Sequence, residues 1–233
     1  MDRYPGSAYS FTPEAVSLAG EARLAYIRKV YTFFGLGIAG GVVGSLIAMN
    51  TSLVFFAIQH PFIGLIAFLG MAIFASASAG NPSRAVPTLI GFTFVSGVII
   101  SPTLYAIAHG FIRGTGVAVI YDALFLTSLV FGALTAYVFI TKKDFSYMGA
   151  SLMIGLFMVI GVSLVNLFVQ STTMDLALSA IIVILFSGFI LYDTSRILKN
   201  AHEIPPTLAA LNLYLDFLNL FMAILRLLSR NRD

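Results

Sequence analysis

Two aspartates interrupt the last two long apolar stretches of this chain: Asp193 in LFSGFILYDTSRIL and Asp216 in LNLYLDFLNLFMAIL. A carboxylate at the centre of a membrane helix costs about 2.5–3.5 kcal/mol on insertion scales, so it is rare without a task. The midpoint between them falls between Ile204 and Pro205, in the polar break HEIPPT. If the two stretches fold back on each other around that break, both carboxyls lie at one depth. At a rise of about 1.5 Å per residue they sit roughly 8–15 Å inside their helix ends.

Two carboxylates a few ångströms apart in a low dielectric cannot both ionise cheaply, so such a pair titrates as a unit. At low pH a shared proton would hold the two helices together. At higher pH the charges would repel or recruit a cation, a pH switch built without histidine. Residues three and four apart share a helix face, and the face of Asp216 reads Asn212, Asp216, Asn219, Ala223, Arg226, Arg230. A hard divalent cation such as Ca²⁺ wants roughly six to eight oxygen ligands. Two carboxylates with Asn212, Asn219, backbone carbonyls and water supply only a loose site, better suited to passage than to storage. The structural alternative is an ion pair between Asp193 and Arg196, one turn on, that only lowers the cost of burying Asp193.

The elements that must position these groups follow from composition. The 233 residues are 59% hydrophobic and 10% charged, with 21 Phe, and the mean hydropathy is +0.96. Those values lie outside the soluble range and imply an all-α polytopic membrane protein. There is no Cys, which excludes disulfides and thiolate chemistry. His60, His109 and His202 fall in or beside breaks without metal-ligand spacing. The net charge of +3 comes from few groups and reports topology, with no nucleic-acid partner.

Residues 1–25 read as a polar cytoplasmic segment without a signal-peptide pattern, and residues 26–233 as the membrane domain. Stretches long enough to span predict seven transmembrane helices, at about 27–49, 54–79, 86–109, 116–140, 147–169, 175–198 and 207–229. The second is interrupted by Gln59, His60 and Pro61, so its helix can also begin near Pro61. With the N-terminus inside, the cytoplasmic segments hold Arg3, Arg23, Arg28, Lys29, Arg84, Lys142, Lys143, Arg196 and Lys199. The outer ones hold Arg113, Arg226, Arg230 and Arg232, so the basic residues divide nine against four. That bias favours a cytoplasmic N-terminus. The basic C-terminal residues oppose it, and a re-entrant seventh helix is the alternative to seven crossings.

Three stretches resemble the Bax inhibitor family, the transmembrane Bax inhibitor motif proteins, in its bacterial branch. They are TKKDFS at 141–146, LFSGFILYDTSRI ending the sixth helix, and LNLYLDFLNLFMAILRLL in the seventh, within a likeness that covers about 20–233. The resemblance implies seven helices with the last enclosed by two groups of three. It also implies a pH-sensitive Ca²⁺ leak governed by an aspartate pair, which maps onto Asp193 and Asp216. A basic latch on that pair is expected near the cytoplasmic side of the second helix. Arg84 is the nearest residue to that place, and Arg196 is the alternative from spacing. The implied setting is a bacterial cytoplasmic (inner) membrane; the cell-death role of some eukaryotic relatives does not transfer.

Other readings compete. A non-conducting regulator of other membrane proteins would use residues 1–25 and the glycines of the first helix. A proton-coupled carrier would use the pair as its proton site. An intramembrane aspartyl protease needs Gly-x-Gly before its second aspartate, where this chain has Leu213-Tyr214-Leu215, and HExxH and GxSxG are absent as well. The chain therefore reads as no enzyme and needs no cofactor beyond a passing Ca²⁺. Gly35 to Gly40 match GxGxxG inside a membrane helix, where small residues are a packing surface. Pro102 predicts a kink. Asp122, near the outer end of the fourth helix, reads as an interfacial carboxylate or a cation-attracting mouth, with Asn166 and Gln170 serving either role. Asp175 opens the sixth helix beside Thr172 and Thr173.

Overall fold

The computed structural model describes residues 13–112, 115–199 and 203–230. Arg3, Arg113, His202 and Arg232 lie outside them. Eight α-helices follow in order: α1 (Pro13–Met49), α2 (Leu53–Gln59), α3 (Pro61–Ser78), α4 (Ala85–Ala108), α5 (Val117–Thr141), α6 (Gly149–Val169), α7 (Thr172–Lys199) and α8 (Pro206–Arg230). All but α2 are long and apolar enough to cross a membrane. The described residues contain no strand.

Two boundaries differ from the sequence reading. The stretch at 54–79 is two helices, α2 and α3, which meet at His60 with φ −125° and ψ 59°. The cause is Pro61: its ring keeps the preceding residue out of the helical region, and it then opens α3 at a position that needs no amide donor. The other is α1, which begins at Pro13, inside the segment read as a polar lead. The run Glu21-Ala-Arg-Leu-Ala25 consists of strong helix formers and carries the helix back from the apolar stretch.

The last helix lies deepest. In the apolar window of α8, 72% of residues are buried, against 11–39% in the other six long helices. It touches α1, α3, α4, α5 and α7 but not α6, which leans on α7. Leu213, Leu220 and Leu225 are wholly enclosed. Phe217 meets Phe34 of α1 at 5.9 Å and Phe131 of α5 at 5.7 Å, and those two rings stack at 4.9 Å. In lipid, association rests on such packing and on close approach at small residues. The glycines of α1 and α4 supply the second: a Cβ at Gly44 would strike the Phe94 carbonyl, and one at Gly97 the Gly41 carbonyl.

Candidate functional site

Asp193 lies near the end of α7 and Asp216 in the middle of α8. The helices run antiparallel from the 200–205 connection, so the residues meet where the spacing predicts. They are 8% and 4% exposed, and their carboxyls lie close enough to act on each other. Asn212, one turn before Asp216, also lies near Asp193. A contact between two carboxyls contains a donor only while one of them keeps its proton. Asp216 Oδ2 is buried and accepts no hydrogen bond from its surroundings. Among the described residues no group of three or more His, Cys, Asp or Glu stands ready to hold a metal ion.

The two latch candidates are placed differently. Arg196 Nη1 lies 4.0 Å from Asp193 Oδ1, with its guanidinium over the Tyr192 ring at 5.3 Å. Arg84 caps the start of α4. Its side chain is exposed, and among the described residues the ion pairs do not include it. Tyr26 of α1 lies near Arg196. Tyr31 of α1, Thr135 of α5 and Thr194 of α7 face one another. Their oxygens, and that of Tyr26, are buried without closing a hydrogen bond.

Around the pair the bundle is fastened by contacts that spacing does not reveal. The Tyr214 hydroxyl meets Ser96 Oγ at 2.5 Å and the Thr93 carbonyl at 3.3 Å, which ties α8 to α4 two residues before Asp216. Thr207 Oγ1 donates to the Ala79 carbonyl at 3.1 Å. Lys199 Nζ meets Asp144 Oδ2 at 2.6 Å, and the Phe145 amide donates to Ser195 Oγ at 3.3 Å. The TKKDFS turn is thus clamped to α7 beside Asp193. The Lys199 ammonium, helped by Ser146, holds the Asp144 carboxyl well below the usual carboxylate range.

The opposite end of the bundle carries a cleft of about 970 Å³ between α4, α6, α7 and α8. Asn219, Arg226, Arg230, Asp175, Asn166 and Gln170 line it. Asn219 Nδ2 donates to the Leu215 carbonyl at 2.8 Å, three residues from Asp216. Asp175 does more than open α7: Arg230 Nη2 and Asn166 Nδ2 both donate to it, at 2.6 and 2.5 Å. Asp122 lies apart from this cleft, exposed near the start of α5.

Residues 23–233 match the family model described as Bax1-I, inhibitor of apoptosis-promoting Bax1. The chain is 34% identical over 223 residues to an uncharacterized protein of Campylobacter jejuni, covering 94% of each chain. It is 37% identical over 205 residues to an uncharacterized membrane protein of Vibrio cholerae, covering 87% of each. Over 112 residues, 48% of this chain and 47% of the relative, it is 43% identical to a Golgi anti-apoptotic protein of vaccinia virus.

Proposed function

The chain belongs to the Bax inhibitor family of membrane proteins, and on that premise we propose that it is a pH-responsive Ca²⁺ leak gated by Asp193 and Asp216. The observation that carries this reading is the meeting of two buried carboxyls from antiparallel helices. With one proton between them they hold α7 against α8. Loss of that proton places two negative charges in a low dielectric, where repulsion and the demand for a counter-cation both favour opening. Asn212 and the Asp216 carboxyl offer a dehydrating cation a few weak ligands. The role is conduction, not catalysis, with Ca²⁺ as the passing ion and protons as the control.

The distribution of basic residues supports a cytoplasmic N-terminus, and the bacterial relatives support a bacterial cytoplasmic membrane. The pair then lies in the cytoplasmic half. A regulator that docks through the glycines of α1 is less well supported, because Gly40, Gly41 and Gly44 already pack on α4 and Tyr214.

The test is Ca²⁺ influx into proteoliposomes at pH 6, 7 and 8, beside the Asp193→Asn/Asp216→Asn double variant. Flux graded with pH in the parent and ungraded in the variant is expected. A parent indistinguishable from empty liposomes at every pH would overturn the leak.

A further inference from the structure

The cleft at the Arg230 end carries a charge that its own residues do not neutralise. Three charged side chains line it: Asp175, Arg226 and Arg230. Asp175 is taken by Arg230. Arg226, one turn earlier on α8, is exposed, and the described ion pairs and hydrogen bonds do not include it. A planar guanidinium is the side chain best matched to a phosphate, through paired charge-assisted hydrogen bonds.

Beyond Arg226 the walls turn apolar, with Leu156, Val159 and Ile160 on α6 facing Leu178 and Ile182 on α7. The walls supplied by α4 and α6 do not touch each other, so the cleft opens sideways as well as at the end of the bundle. A small soluble anion would use the guanidinium and leave the apolar depth unfilled. An amphiphile satisfies both, with its charged head level with the helix end and its chain directed toward the bilayer centre.

We propose that this cleft binds an anionic glycerophospholipid, with Arg226 holding the headgroup phosphate and an acyl chain lying between α4 and α6 against α7. The inference does not rest on ion conduction, and its test reads binding without flux.

The chain has no Trp, so Leu164→Trp places a single, selectively excited tryptophan on the cleft wall, at a residue 55% exposed. The protein is reconstituted in vesicles containing phosphatidylglycerol or phosphatidylcholine brominated on the acyl chains. Half-maximal quenching is expected at a several-fold lower mole fraction of the brominated phosphatidylglycerol. Arg226→Gln should remove that preference, and Arg28→Gln, which changes an exposed arginine far from the cleft, should keep it. Equal quenching by both lipids in the otherwise unaltered protein would overturn the proposal. So would a preference unchanged by Arg226→Gln, or quenching relieved by millimolar inorganic phosphate, which would assign the cleft to a soluble anion. Native mass spectrometry of the chain without the reporter checks that phosphatidylglycerol is retained over phosphatidylcholine.

Discussion

Arg230 and Asp175 form an ion pair at 2.6 Å between the last turn of α8 and the first turn of α7. The connection between these helices lies at their other ends. α8 therefore runs the length of α7, and a seventh helix that turns back part-way is not what this sequence folds into. Arg230 also donates to the Thr172 carbonyl at 3.2 Å, so one guanidinium bonds both a carboxylate and a backbone oxygen of α7.

The Arg230–Asp175 contact is half open to its surroundings, with side chains 34% and 43% exposed, so its strength is that of a surface pair. A double-mutant cycle of Arg230→Gln and Asp175→Asn, read by thermal unfolding in detergent, should give a coupling below about 1 kcal/mol. A coupling several times larger would mean that the pair is shielded far more than its exposure indicates.

The Asp144–Lys199 clamp is insensitive to pH in the working range. The folded carboxyl lies below its unfolded value of roughly 4. Its contribution is therefore present above that value and is lost only as pH falls through the still lower folded one. Asp144→Asn should change stability or flux by the same factor at pH 6, 7 and 8. A change in the shape of the flux–pH curve would show that the clamp takes part in sensing.

Arg196 and Arg84 separate by distance. A guanidinium 4.0 Å from Asp193 favours the ionised pair, so Arg196→Gln should move the midpoint of the flux–pH curve toward higher pH. Arg84→Gln should leave it in place. The reverse pattern would restore Arg84 as the latch and would require a second arrangement of the α3–α4 turn.

Asn219 joins the cleft to the Asp216 face of α8. Asn219→Leu removes the polar group between them and should lower Ca²⁺ flux without shifting its pH midpoint. Unchanged flux and ion selectivity would place the conducting route elsewhere.

Tyr214→Phe deletes the hydroxyl shared by Ser96 and Thr93. Polar contacts between membrane helices contribute about 1 kcal/mol, and a loss of that size is expected in thermal unfolding. No loss would mean that Ser96, which also donates to Thr93 at 2.7 Å, satisfies itself.

The aspartates were legible because a carboxylate in an apolar run is an anomaly that one sequence can show, and their symmetry about HEIPPT placed them together. The break at Pro61 was legible for a similar reason, since proline acts on its own neighbours. Partners far apart in the chain were not. Ser96 and Tyr214 are 118 residues apart, and neither is unusual for a membrane helix. Asp144 stands out only as part of TKKDFS and Lys199 only as a basic residue, and nothing in the sequence pairs them until the fold brings them together. Asp175 looked like a helix opener because its local role is sufficient to explain it. The start of α1 was hidden because a polar composition masked residues that nonetheless favour helix.

The backbone seam between α1 and α4, at Gly41, Gly44 and Gly97, has a mechanical consequence. With the Phe94 and Gly41 carbonyls seated where side chains would stand, neither helix can slide or roll on the other without its backbone colliding. These two helices act as a single strut. Helix α6, which among the long helices meets only α7, has no such engagement. The protein is thus stiff along one flank and compliant along the other, and α7, the helix that carries Asp193, borders the compliant flank.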